Sequence, residues 1–581
     1  MKRIPPQFKL LFSFLLLGMV SACRTSPPPA QQNSYPSTER LIGQRGGSLV
    51  YRVASPPQTF NYLAAADENT LLVAFYLLGG RLIEFDHDKL SYAPGVAESW
   101  QVNNDGRTVE VTLRDGVKFS DGRALTAEDV RFTLQAVYDT RTAAPIFRDA
   151  LLINGRQIEC AVNDPRHLRL TFPGPVAVPE SYLSNLAVLP SHVLEAEAQR
   201  GGLREAYALT TAPSQIVTAG AFTLQAATPG ERFVLRRNPH YWKKDSAGTP
   251  LPYLDELVIE VVSDTNNALA RVQQGTLDVL DRLRPADYAA LRQTADAVRV
   301  TDAGPGLTTD HLWFNLTPKA ASGKRAWFND ARFRRAVSHA IDRESIATSL
   351  LQGLATPLYG FVSPGNRSWV AQDLPRTPYD LTKAQTLLRE AGFTLRGTTE
   401  APELFDAAGQ RVEFTLLVPT ESQPRKGIAA VVQEDLAKLG IMMQVAPLEF
   451  GELSRRIFQS FDYDAALLGA SVSEPDPSSY ANFLRSSSPS HQWHPKQVQP
   501  ATAWEARIDG LLAEQARERD SARRRASFHE LQTILAEQLP VIPLTARHLT
   551  SAARQRVGNH RPSMLLPYSL WNAEELFVRQ P

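Results

Sequence analysis

Through the first half of the chain, apolar positions alternate with polar ones in short runs. After Gly46-Gly47, Leu49, Tyr51 and Val53 occupy every second place, which is the spacing of a half-buried strand. Val109, Val111 and Leu113 repeat the pattern behind the turn signal Asn104-Asp105-Gly106, and Leu168, Leu170 and Phe172 repeat it once more. Thr126 with Asp129 three places on marks a helix start, and Val130, Leu134 and Val137 supply that helix's apolar stripe. Phe222 and Leu224, then Phe233 and Leu235, flank Thr228-Pro229-Gly230 as the arms of a hairpin. Leu257, Ile259 and Val261 make a further strand, and Asn266 to Gln274 a short helix.

From about Asp310 the pattern changes to alternating helices and strands. Asp330 caps a helix carrying Phe333, Val337 and Ile341, and Asp380 caps another that ends at Gly392. Val412 to Val418 alternates as a strand, Ile428 to Leu439 forms a helical stripe closed by Gly440, and Ile441, Met443 and Val445 alternate again. Such a βαβ unit requires parallel strands joined by a right-handed crossover. Two helices, about 503–516 and 521–538, precede the short buried strand predicted at Pro540-Val-Ile-Pro-Leu544. Periodicity alone therefore gives a mixed α/β protein of more than one lobe.

Composition narrows the class. The 581 residues amount to about three domains of chain, and 43% hydrophobic content supports large cores. Lys+Arg 62 against Asp+Glu 61 leaves no electrostatic footprint for gripping phosphates, which argues against a nucleic-acid binder. Two cysteines, Cys23 and Cys160, exclude a disulfide framework and a Cys-rich metal module; Cys160 reads as a small residue of a strand.

At the N-terminus, Lys2, Arg3 and Lys9 precede an apolar run from Leu10 to Val20, too short to span about 30 Å of hydrocarbon and suited to a secretory signal. Val20-Ser21-Ala22-Cys23 resembles the lipobox of bacterial lipoproteins, which implies acylation of Cys23 after removal of residues 1–22. Residues 23–45 have the composition of a flexible tether.

Catalytic signatures are missing. The sequence has no G-x-x-x-x-G-K-[ST], H-E-x-x-H, G-x-S-x-G or G-x-G-x-x-G. His491 and His494 read as surface-loop histidines and Asp86-His87-Asp88 as a polar turn, so neither a metal site nor a cofactor is expected. An envelope-anchored hydrolase is the alternative of another class, and it lacks a recognisable nucleophile and base.

Ten short motifs recur in register. They run from Tyr92-Ala-Pro-Gly-Val-Ala-Glu-Ser-Trp100 and Leu113-Arg-Asp-Gly-Val-Lys-Phe-Ser-Asp-Gly122 with Thr126-Ala-Glu-Asp-Val130 to Leu189-Pro-Ser-His-Val-Leu194 and Thr218-Ala-Gly-Ala-Phe222. Arg237-Asn-Pro-His-Tyr-Trp242, Gln274-Gly-Thr-Leu-Asp278, Phe328 to Arg343, Asp476-Pro477 and Leu539-Pro-Val-Ile-Pro-Leu544 complete the set. Together they resemble the family 5 extracellular solute-binding proteins, the peptide-binding receptors of bacterial ABC importers. Most of these residues suit turns, caps and packing.

The resemblance implies an α/β, two-lobed periplasmic-binding-protein-like clamp with an additional subdomain and mixed sheets. It implies a discontinuous lobe I of 46–65, 210–305 and 545–581, an extra subdomain at 66–209 and a lobe II at 306–544. It further implies a monomer at the extracytoplasmic face of the envelope. Such a receptor would take a peptide or other small solute between its lobes and pass it to ABC permease subunits with their ATPase. Oligosaccharides, nickel chelates and opines are the alternative ligands within the family.

The implied contact region is Leu468 to Pro477, with Gly469, Ala470, Ser471, Ser473 and Glu474 as candidates. Peptide-binding members carry an Asp four residues before the proline of Asp/Glu-Pro, where it meets the ligand's amino group. Counted from Pro477, Ser473 holds that place, and a hydroxyl cannot neutralise an ammonium, so the adjacent Glu474 is the candidate substitute. Tyr51, Trp313, Trp369 and Trp493 are candidates for stacking on a sugar.

Overall fold

A computed structural model describes residues 40–579 apart from Asp105, Asn154, Ala295, Ala321 and Ser473. Residues 1–22, Cys23, most of the tether and Ser473 lie outside the described residues.

Two large apolar cores organise the chain. The first gathers Leu49, Tyr51 and Val53 with residues from 60 to 260 and the C-terminal Leu570, Leu576 and Val578. The second gathers Leu312, Trp313 and Phe314 with residues from 327 to 544. An 11-stranded mixed sheet passes through both. At one end Ser48–Val53 pairs in parallel with Glu256–Val261, and the hairpin Phe222–Thr228/Arg232–Arg237 adds to that edge. At the other end Glu413–Pro419 pairs in parallel with Met442–Leu448, joined by the helix Gln423–Ala437. This is the βαβ unit that the alternation predicted.

The link between the ends is one antiparallel pair, Val298–Phe314 with Val541–Arg554. Val298 and Ala552 pack in a small cluster beside the first core, whereas Trp313 and Val541 pack in the second. Their register is Val298↔Arg554 at one end and Trp313↔Val541 at the other, with irregularities between Asp302 and Pro305, between Pro305 and Thr309, and between Asp310 and His311. Prolines and bulges interrupt ladder hydrogen bonds and bend strands. The crossing therefore falls where the ladder is weakest. The strand predicted at Pro540–Leu544 is thus the start of a 14-residue strand.

A separate antiparallel sheet of Ala97–Val102, Thr108–Leu113, His167–Thr171 and Glu159–Val162 lies within 66–209, with the helix Ala127–Tyr138 packed in the same core. Asp129 closes that helix's start by accepting from Thr126 N at 2.8 Å, and its other oxygen accepts from Ser191 N at 3.0 Å. One carboxylate thereby ties two of the sequence motifs together.

The other motifs are scaffold as well. Arg343 is buried and donates to Pro543 O at 2.7 Å and Ser338 O at 2.8 Å, fixing its helix to the crossing strand. Asp278 accepts from Val50 N at 2.9 Å and from Arg556 Nε at 2.7 Å. Gly220 must be glycine, because a Cβ there would lie 2.4 Å from Leu78 O. Trp313 and Trp493 are core residues, each about 1% exposed, which removes both from any sugar-stacking role. His491 corrects the surface-loop expectation. It is buried, its ring centroid lies 4.0 Å from that of Trp493, and its Nδ1 faces His494 O at 2.8 Å.

Candidate functional site: the cleft between the two cores

A cavity of about 380 Å³ opens where the long strands cross. Thr308 comes from one strand and Arg547 and His548 from the other, while Leu283 of the side cluster and Leu351 of the second core also line it. A further cavity of about 230 Å³ shares Glu68, Arg282 and Tyr568 with it and reaches Tyr51 and Asp281. Volumes of this order suit a small solute, and the lining mixes apolar walls with a few charged groups.

The charges are mostly committed to one another. Arg282 pairs with Glu68 at 2.9 Å and lies over the Tyr568 ring at 4.9 Å. Arg284 pairs with Asp287 at 2.6 Å, and His548 is held between Asp302 at 2.8 Å and Thr356 at 2.9 Å. Tyr51 donates to Asp281 at 2.8 Å, and Ser569 N donates to the same oxygen at 3.1 Å. Burial first, and the Asp281 carboxylate second, push the Tyr51 phenol above its usual range, so it remains a donor at neutral pH.

Asp310 differs from these pairs. It is fully buried on the crossing strand and serves two guanidiniums, accepting from Arg425 Nε at 2.8 Å and lying 3.2 Å from Arg547 Nε. The Arg547 contact is not aligned as a hydrogen bond, so attraction between charges is what holds it.

The candidate residues from the sequence divide in this setting. Gly469 follows the buried strand Ala465–Leu468, and a Cβ on it would lie 1.8 Å from Thr309 O and 2.8 Å from an Arg425 nitrogen. Only glycine allows that approach. Ala470 is buried and accepts from Thr309 N at 3.0 Å, carrying the pairing two residues beyond His311↔Leu468. Ser471 then emerges, lines the cavity, and places its Oγ 3.2 Å from Thr308 Oγ1.

Glu474 points elsewhere, accepting at 3.0 Å from the hydroxyl of Tyr92, which lies 382 residues earlier in the chain. Burial pushes its carboxyl up to about 7, with Asp476 adding to the rise and the Tyr92 hydrogen bond opposing it. Two more contacts join the same early and late segments: Ala177 N donates to Ala516 O at 3.0 Å, and Arg519 donates to Asn103 O at 2.7 Å. Tyr51 reaches the smaller cavity. Trp369 is half-buried under Arg524, 5.0 Å from its ring centroid, and is not among the cavity-lining residues.

Sequence reasoning missed Asp310, Arg425, Arg547 and Arg282. A signal for two of them was present, since Asp310 lies two residues before the apolar Leu312-Trp-Phe314 and Arg547 directly follows the buried run Val541 to Ala546.

Two cores, a two-strand crossing and a cleft at the crossing define a solute-binding clamp. The chain belongs to the bacterial extracellular solute-binding proteins, family 5, whose middle-region model matches residues 91–492. Among relatives, it is 28% identical over 472 residues to a probable ABC transporter-binding protein of Deinococcus radiodurans, covering 78% of each chain. It is also 28% identical over 483 residues to the oligopeptide-binding protein AppA of Bacillus subtilis, covering 81% of this chain and 82% of that one. The fold is shared with the ABC transporter substrate-binding protein CtaP of Listeria monocytogenes, at a TM-score of 0.75 and 21% identity over 92% of this chain and all of that one.

Proposed function

We propose that the chain is an extracytoplasmic receptor that captures peptide-like solutes in the cleft and delivers them to an ABC permease. ATP hydrolysis then belongs to the transporter's own subunits, and the receptor makes and breaks no bond. The observation that carries this reading is the lined cleft at the two-strand crossing, in a chain of a family whose named relatives include oligopeptide-binding and di/tripeptide-binding proteins. Closure of two bodies about a short crossing excludes water and engages a ligand from both sides. Backbone hydrogen bonds then hold an extended peptide without reading its side chains.

The receptor acts as a monomer held at the membrane by acyl chains on Cys23, each buried CH₂ contributing about 0.8 kcal/mol. Among the described residues no helix is long and apolar enough to cross a membrane, so attachment in this reading rests on the acylated N-terminus.

The test is native mass spectrometry after incubation with a pool of di- to hexapeptides. Retention of intact peptides at one per chain is expected. Absence of retained peptide, or the appearance of shorter products, would overturn the reading, the second in favour of a hydrolase.

A further inference from the structure

Among the described residues of the loop that follows Ala465–Leu468, Ser471 alone lines the cavity, and a hydroxyl brings no charge. Beside it the charges do not cancel. Asp310 supplies one negative charge to Arg425 and Arg547 together, which leaves one positive charge in excess. Asp310 is sealed from solvent, whereas Arg547 keeps about a third of its side chain exposed and lines the cavity. Thr308 Oγ1 and Ser471 Oγ, 3.2 Å apart, belong to two further residues that line the same cavity as Arg547. The other acid of this cavity, Glu68, is taken up by Arg282. An ammonium placed here would meet a guanidinium and no free carboxylate, and burying it would be costly. A carboxylate would meet a planar fork of donors and two hydroxyls, the geometry that arginine matches best.

We infer that the part of the cleft beside Ser471 receives an anionic group of the solute, a carboxylate held by Arg547 with Thr308 and Ser471. Asp310 acts as a positioning residue, holding Arg547 by its charge while Arg425 holds Asp310. The negative counterpart lies at the Tyr51 end, where Asp67, Glu68 and Asp281 face Arg52 and Arg282. The cleft is thus polar along its length, and a zwitterionic solute would lie with its carboxylate toward Ser471. This inference rests on the cleft being the solute site.

The experiment is isothermal calorimetry with trialanine and trialanine amide, which differ only in the carboxylate, on the wild type and on Arg547→Gln and Ser471→Asp. The wild type is expected to bind trialanine at least tenfold more tightly than the amide, and each variant is expected to erase most of that preference. Ser471→Asp changes an exposed side chain, so it tests the site even if Arg547→Gln loosens the Asp310 pairing. Equal affinity of the wild type for acid and amide, or a preference that survives in both variants, overturns the inference and leaves the peptide reading intact. If neither peptide binds, the peptide reading fails, and glutarate becomes the probe. Glutarate binding that drops tenfold in Arg547→Gln supports the anionic site without the peptide, and no glutarate binding overturns it.

Discussion

Replacing Glu474 by glutamine separates a structural latch from a ligand contact. Glu474 is wedged between Tyr92 and Asp476, and burial raises its carboxyl from an ordinary 4.5 to about 7. The folded state therefore binds this proton more tightly than the unfolded state does. The stabilising contribution is complete below pH 4.5 and is lost as pH rises through about 7. At about 1.4 kcal/mol for each pH unit between the two values, the ionised form costs the native state about 3 kcal/mol at pH 8. Glutamine keeps the shape, still accepts from the Tyr92 hydroxyl, and cannot ionise. Spread over a chain of this size, with an unfolding entropy of about 2 cal/mol/K per residue, 3 kcal/mol corresponds to roughly 3 °C. Scanning calorimetry at pH 5, 6.5 and 8 is the assay. Glu474→Gln is expected to match the wild type at pH 5 and to melt about 2–3 °C higher at pH 8. A pH-independent difference, or a variant that is weaker at pH 8, would refute the reasoning. A tenfold loss of trialanine affinity in the same variant would return Glu474 to the ligand.

Gly469→Ala places a Cβ 1.8 Å from Thr309 O, and calorimetric melting should show it less stable by about 1–3 kcal/mol, with Ser471→Ala unchanged. Asp310→Asn leaves two guanidiniums facing each other without a counter-charge, and chemical denaturation should register a loss of about 3–5 kcal/mol. Trp369→Ala should lower stability through lost packing against Phe528 and Arg524 while leaving trialanine affinity within about twofold, since residues packed elsewhere couple weakly to a distant cleft. A larger change in affinity would put the indole in the site.

The fold was legible where one face of an element is buried and the other is wet. Val412 to Val445 shows this best, because strand alternation, helix stripe and terminal Gly440 all point to one βαβ unit. The crossing strand was legible only through Leu544. Beyond it Arg547 and His548 face the cleft instead of solvent, so alternation stops signalling burial while the ladder continues. His491 was read as a surface residue because polarity was its only sequence signal, yet its neighbour Trp493 draws the loop into the core.

The site was less legible than the scaffold. The motif located the loop at 468–477, but which of its side chains enters the cavity depends on partners far along the chain. Tyr92 claims Glu474 from 382 residues away, and Asp310 meets Arg425 across 115. No local pattern encodes such pairs.

Hydrogen–deuterium exchange with and without trialanine tests the central claim most directly, because a guest enclosed between the two cores must slow exchange on both walls together. Simultaneous protection is expected around Tyr51 and Glu68, on the side of the first core, and around Thr308 and Ser471, on the side of the second. Protection confined to one side, or none while the peptide is demonstrably bound, would contradict it.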